Sequence, residues 1–253
     1  MASGEEERAM IEIRALSSIP EFKDAVRLQQ EIWGFEAIEL LPVRLFVVAT
    51  KIGGQAFGAY DSGRMVGFCL AIPGMKPGGK SYLHSHMLGV LPKYRNEGVG
   101  RLLKLAQRQD GLARGVELIE WTFDPLEIKN AYFNIERLGA IIRRYVVNQY
   151  GTTTSPLHGG LPTDRCIAEW WIQTPRVRAI VAGEPRKREP VEARIAVPAS
   201  IAMLRHDDPA AARDIQARVT EEFMDSFDCG LAVIGFERTA EAGTYLLGPW
   251  QSS

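Results

Sequence analysis

The chain has 253 residues, 46% apolar and 24% charged, with a formal net charge of −1. This is the balance of an ordinary soluble protein with enough apolar surface to bury a core. Near-neutral charge gives no general attraction to nucleic acid or to an anionic membrane, so neither is expected as a partner.

Residues 1–7, MASGEEE, lack the basic and apolar regions of a secretory signal. No apolar run approaches the ~18 residues that a membrane span needs. Cys69, Cys166 and Cys229 are far apart and show no C-x-x-C spacing. That argues against a disulfide framework or a structural zinc site, and no metal is expected. The cysteines read as small buried hydrophobes in a reducing cytoplasm.

Residues 10–17 alternate and predict a strand, and residues 19–33 follow with helical spacing. Residues 42–50 are apolar and short, and fit a helix or a strand. Residues 55–60 and 65–72 predict a hairpin around Asp61-Ser62-Gly63. A strand at 81–91 leads into a helix at 99–114, with Gly115 as a left-handed stop. Residues 116–123, VELIEWTF, predict a strand. Asp124-Pro125 then suits an N-cap and first helical position, and Gly139 ends that helix. Strands are predicted at 140–149 and 165–173. The order is β-α-(α)-β-β-β-α-β-α-β-β, an α/β pattern on a mixed sheet.

Residues 183–193 are charged and proline-containing and read as a linker. A strand near 194–203, a helix from Asp208-Pro209 to about Asp228 and a strand pair near 231–247 follow. The expected organisation is a main domain at 1–180 and, at 181–253, a linker with a small β-α-β-β extension. The helix of that extension carries Ile215, Val219, Phe223 and Phe227 on one face, which must be buried.

The segment at 90–107, VLPKYRNEGVGRLLKLAQ, places two glycines one residue apart where a strand hands over to a helix. A helix N-terminus presents unpaired amides and partial positive charge. A phosphate can accept from those amides if no side chain blocks its approach. Gly98 and Gly100 leave that approach open, and Lys93 and Arg95 add charge. A Walker A loop is excluded, because Gly100 is followed by Arg101-Leu102. A dinucleotide fingerprint lacks its third glycine. Arg95-Asn96-Glu97-Gly98-Val99-Gly100 fits [RQ]-x-x-G-x-[GA] at every fixed position. A tight structural turn is the competing reading.

With that motif, the preceding Val90-Leu91-Pro92, the amphipathic helix after it and the next strand and helix up to Gly139, the sequence resembles the GNAT superfamily of coenzyme A-dependent acyltransferases. The resemblance covers roughly residues 10–175. It implies a mixed, mostly antiparallel sheet flanked by helices, with acetyl-CoA or another acyl-CoA as co-substrate. It implies that Arg95, Asn96, Glu97, Gly98, Val99, Gly100 and Arg101 hold the pyrophosphate. It also implies that a backbone amide around Leu88, Gly89 and Val90 polarises the thioester carbonyl, an effect of roughly 3 kcal/mol in acyl transfer.

Direct attack on a thioester requires a deprotonated amine. His84 and His86 lie at i, i+2, on one face of a strand, and are candidate bases; packing and metal binding are the alternatives. As in arylalkylamine N-acetyltransferases, the His-x-His pair ends four residues before the strand's valine, here Val90. The tyrosine that many GNAT enzymes place four residues before the helix-ending glycine is replaced by Ile135, so Tyr132 becomes the candidate acid, against a core role. Asn130 and Asn134 are candidates for the pantetheine amides. Glu31 and Trp33 are placed at the acceptor site. Of Arg143 and Arg144, adjacent on a strand and hence on opposite faces, at most one meets a carboxylate, from an amino-acid acceptor or a donor such as succinyl-CoA. The expected activity is acylation of a primary amine of a small molecule or amino acid. A non-catalytic acyl-CoA sensor is the alternative, and the tail is a candidate for homodimerisation or for covering the acceptor site.

Overall fold

The computed structural model describes residues 11–151, 160–185 and 189–250; the N-terminal stretch read above lies outside these. The chain divides into two compact units, Met1–Ile119 and Glu120–Ser253.

The first unit carries four strands in the order β1 (Glu12–Ala15), β2 (Gln55–Asp61), β3 (Arg64–Met75), β4 (Ser81–Val90), each antiparallel to its neighbour. Helices α1 (Ile19–Trp33) and α2 (Val43–Lys51) cover one face, and α3 (Val99–Ala113) the other. The ambiguous 42–50 segment is therefore helical. Helix α1 starts with a capping box, in which Ser18 and Glu21 satisfy each other's backbone amides, and ends at left-handed Gly34. Phe22, Phe46 and Phe68 pack ring to ring in the core beneath α1 and α2.

Beside the buried Val99 and Leu103, the core under α3 holds a polar cluster. Lys104 is fully buried, and its Nζ donates to Ser85 Oγ (2.8 Å), which donates to Gln107 Oε1 (3.0 Å). Burial pushes the Lys104 ammonium down to about 7, because desolvation penalises the charged form.

The second unit contains a sheet in the order β7 (Arg165–Trp171), β6 (Ile141–Val146), β9 (Leu231–Arg238), β10 (Ala242–Pro249), β8 (Ala193–Pro198). All its described pairings are antiparallel. Strand β5 (Leu118–Phe123) runs across the division between the units. The fold is thus mixed α/β with mostly antiparallel strands, and the C-terminal segment joins the sheet where Val233 of β9 pairs with Ile142 of β6. Helices α6 (Ile201–Asp207) and α7 (Pro209–Asp228) belong to that segment. The α7 face buries Val219 and Phe223, and Phe223 meets Tyr145 and Tyr245. Arg205 of α6 binds Asp124 (2.6 Å) and Glu127 (2.9 Å).

Two local differences from the sequence pattern have physical causes. The helix expected at Asp124-Pro125 begins only at Ile128. Asp124 Oδ1 accepts from Leu126 N (2.8 Å), and Asp124 O accepts from Glu127 N, which closes a turn first. Helix α5 (Pro175–Ala182) occupies a stretch where no helix is predicted, although Thr174 caps it and left-handed Gly183 ends it. Cys69 and Cys166 are buried as expected, whereas Cys229 is exposed. Among the described residues, no helix is long and apolar enough to cross a membrane.

A lysine whose folded-state value is depressed binds fewer protons than in the unfolded chain between about 7 and its ordinary range. Folding stability therefore rises with pH across that window. The thermal midpoint of the full chain should rise from pH 7 to 9, and Lys104→Met should flatten the rise. An identical slope in both proteins would contradict the neutral buried lysine.

Candidate functional site

The strand-to-helix turn is shaped by its backbone. A single 3-10 turn at Pro92–Tyr94 follows β4. Asn96 (φ 66°) and Gly98 (φ 84°) are then left-handed. Gly98 is the N-cap of α3 and offers no side-chain oxygen to the first turn. The amides of Val99 and Gly100 thus sit uncapped at the positive end of a 15-residue helix.

The two glycines answer different needs. A Cβ on Gly98 would meet no atom within 4 Å, but its positive φ strains any L side chain. Gly100 lies inside α3, and a Cβ there would make ordinary contacts, 3.5 Å from Leu88 Cδ2 and 4.0 Å from Val90 Cγ2. The protein's own packing therefore does not require glycine at 100. A bare Cα at this point gives a phosphate room to reach the helix amides.

Arg95 braces this loop. Its Nε donates to Val90 O (3.2 Å) and its Nη2 to Ile32 O (3.4 Å). Tyr94 OH donates to Asp61 Oδ2 (2.6 Å). Glu97 is exposed and Arg101 half-buried.

Strand β4 changes parity midway. Its register against β3 passes from Leu70↔Met87 to Ala71↔Ser85, leaving His86 as the extra residue of a bulge. Ser85 faces α3 before the bulge, and Leu88 faces it after. The opposite face carries His84, His86 and then Gly89, over which Trp33 lies. A Cβ on Gly89 would fall 2.7 Å from the Trp33 ring. Trp33 also stacks on Phe35 (5.4 Å) and meets Phe68 edge-on (6.0 Å). The structure thus brings the His pair and Trp33 to one face. Glu31 is exposed and paired with Arg27.

The histidine rings are 6.1 Å apart. Burial, then the neighbouring His86, Lys104 and Lys76, push His84 down to about 4. Desolvation lowers His86 as well. Both rings are neutral at pH 7 and have a lone pair to offer. Leu91 N donates to Val66 O (2.9 Å). Alternation along the strand turns the Gly89 amide toward β3 too, and those of Leu88 and Val90 away from it.

The remaining predicted residues lie in the second unit. Helix α4 (Ile128–Tyr132) passes into a π-helical turn at Phe133–Arg137. Asn130 is exposed, Asn134 is buried and Ile135 is wholly buried. Tyr132 is half-buried, with the Arg238 guanidinium 5.6 Å from its ring centre.

The arginine pair departs from the sequence expectation. A second bulge interrupts β6 between Ile142 and Arg144, so Arg143 and Arg144 reach the same carboxylate rather than opposite faces. Arg143 Nη2 and Nε donate to Glu169 Oε2 (2.5 and 3.2 Å). Arg144 Nε donates to Glu169 Oε1 (3.2 Å), and its Nη2 pairs with Glu120. Trp171 Nε1 also donates to Glu169 (3.2 Å). Glu120 and Glu169 are buried, and sequence reasoning passed over both. Their signal was a single acid inside each of two mostly apolar strands, LIEWTF and RCIAEWW. Among the described residues, no three His, Cys, Asp or Glu side chains are grouped to hold a metal ion.

Residues 22–139, which contain the turn and both histidines, match the model of the acetyltransferase (GNAT) family. The match supports the resemblance to GNAT acetyltransferases read from the turn at 95–100. Among curated proteins there is no match. Solved GNAT-type structures are similar in fold. The ribosomal-protein-S18-alanine N-acetyltransferase of Escherichia coli is 20% identical, with a TM-score of 0.51 over 65% of this chain and 96% of its own. An aminoglycoside 6′-acetyltransferase type Ii is 21% identical, with a TM-score of 0.52 over 64% of this chain and 98% of its own. The yncA protein of Salmonella typhimurium, solved with its cofactor acetyl-CoA, is 11% identical, with a TM-score of 0.52 over 66% of this chain and 97% of its own. Each is covered almost completely, while about a third of this chain has no counterpart in them.

An NMR titration of the histidine ring protons tests the electrostatics of the GNAT segment. His84 should titrate near 4 and His86 below the ordinary imidazole value of about 6.5. Midpoints at or above that value for both would contradict the described environment.

Proposed function

We propose that this protein transfers an acyl group from coenzyme A to a primary amine of a small molecule or amino acid. The observation that carries this reading is the uncapped α3 N-terminus with a glycine at 100 that the protein's own packing does not require. The match of residues 22–139 to the acetyltransferase (GNAT) family supports it, and so does the fold shared with acetyltransferases, one of them holding acetyl-CoA.

In this reading the thioester supplies an activated acyl carbon. The first-turn amides of α3, with Gly98 and Gly100 beneath them, hold the pyrophosphate. The amide of Leu88 or Val90 donates to the acyl oxygen as it gains negative charge. The amine lone pair forms the new C–N bond, and the C–S bond breaks with its electrons left on sulfur. The amine must lose a proton, and an imidazole on β4 takes it. His86 suits this better than His84, because a value near 4 leaves His84 a weak base. His84 then keeps the site uncharged beside its partner. The leaving thiolate takes a proton from solvent. The wholly buried Ile135 occupies the position of the usual tyrosine and offers no acid.

Thermal stabilisation of the full chain by acetyl-CoA, succinyl-CoA, coenzyme A and NADH, at equal excess, is the primary test. A ligand at 100 times its Kd stabilises the native state by ~2.7 kcal/mol. Coenzyme A species should raise the midpoint, and Gly100→Val should abolish the rise while changing ligand-free stability by under ~1 kcal/mol. Stabilisation by NADH alone, or an undiminished coenzyme A response in Gly100→Val, would overturn the assignment. With an amine that turns over, His86→Asn should lower kcat by ~10²-fold or more with donor affinity unchanged. Tight donor binding without turnover of any amine would favour a non-catalytic acyl-CoA sensor instead.

A further inference from the structure

A further bulge lies in the second unit. The register of β10 against β9 passes from Leu246↔Gly235 to Leu247↔Val233, leaving Ile234 as the extra residue. The Ile234 carbonyl accepts from Arg176 Nη2 (2.7 Å), and Arg176 Nε donates to Gly139 O (3.1 Å). These two carbonyls fix the guanidinium, and the side chain is only 9% exposed. Beside it is a cavity of about 120 Å³. That is roughly ten times the space that one water needs.

One side of the cavity is apolar, formed by Ile234, Phe236 and Leu246. At its rim, Arg194 Nη1 donates to Glu237 Oε2 (2.8 Å), and both side chains are exposed. Glu136 Oε1 accepts from Phe236 N (2.8 Å). Glu189 differs from these acids. Its Oε1 lies 3.9 Å from Arg176 Nη1, too far for a hydrogen bond. Its Oε2 is buried and accepts no hydrogen bond from any described residue. A buried carboxylate oxygen without a donor is costly. The group left unmatched in this cavity is therefore an acceptor.

We infer that this cavity binds a small primary alkylammonium, whose N–H groups meet Glu189 and whose chain lies on Ile234, Phe236 and Leu246. An ammonium brings three donors and no acceptor, which is what an unmatched carboxylate oxygen calls for. A single water would supply a donor but leave most of the volume and the apolar wall unfilled. An anion would face three acids, Glu136, Glu189 and Glu237, and two arginines already engaged with carbonyls and with Glu237. Every residue invoked lies in the second unit, so the inference does not depend on the acyl-transfer reading.

The test titrates the full chain with n-butylammonium chloride, followed by 1H–15N spectra at neutral pH and constant ionic strength. n-Butanol and sodium butyrate serve as the neutral and anionic counterparts. Only the ammonium should give saturable shifts at the amides of Gly235 and Phe236. Glu189→Gln keeps the shape of the side chain and removes its charge. It should weaken butylammonium binding about tenfold or more, with the thermal midpoint held. Val191→Phe leaves the acid in place but narrows the cavity that Val191 lines, and should weaken binding as well. The inference is overturned if butylammonium gives no saturable shift at those amides, or if butanol or butyrate binds there equally well. It is also overturned if Glu189→Gln binds butylammonium as tightly as the wild type. Should Glu189→Gln fail to fold, undiminished affinity in Val191→Phe overturns it instead.

Discussion

An α-helix cannot satisfy its own first amides, and the acyl-transfer reading of this protein follows from how α3 leaves that need unmet. Most helix starts are closed by a Ser, Thr, Asp or Asn side chain, as Ser18 closes α1 here. At α3 the N-cap is Gly98, which closes nothing. Its left-handed backbone, with that of Asn96, turns the chain from the 3-10 turn after β4 into the uncapped start of α3. Arg95 then ties the loop to the carbonyls of Val90 and Ile32. The motif arginine thus holds the loop, and in the proposed reading the backbone amides are the groups that bind the anion.

Two β-bulges distribute the remaining candidate chemistry. The bulge at His86 lets β4 present Ser85 to the buried Lys104 and, three residues later, Leu88 to the same α3 face. The histidines and Gly89 then share the other face with Trp33. The bulge in β6 does the same for Arg143 and Arg144. In both cases one extra residue re-aims a side chain that a regular strand would send to the opposite face.

This explains what the sequence could and could not show. The turn at 95–100 was legible because its constraint is local: glycine spacing, a preceding proline and an amphipathic run. The hairpin around Asp61-Ser62-Gly63, the α3 stop at Gly115 and the α7 face were legible for the same reason. The bulges were not, because register is set by the partner strand and leaves no mark on the strand that slips. Hence the rule of alternation placed Arg143 and Arg144 on opposite faces. The start of α4 was misjudged because the Asp124 side chain and carbonyl both serve a turn before the helix. The pairing of β9 with β6 joins residues about 90 apart in the chain, a distance over which local pattern says nothing.

Strands β8 to β10 extend the sheet of the second unit, and α7 packs on that sheet through Val219 and Phe223. Tyr245 OH donates to Pro125 O (2.6 Å), which joins the last strand to the turn ahead of α4. The most direct test of the central claim is a 1H–15N spectrum of the labelled chain titrated with coenzyme A. The account predicts the largest shifts at the amides of Val99, Gly100 and Arg101. Shifts centred elsewhere with those amides unmoved, or no shifts at saturating ligand, would contradict it.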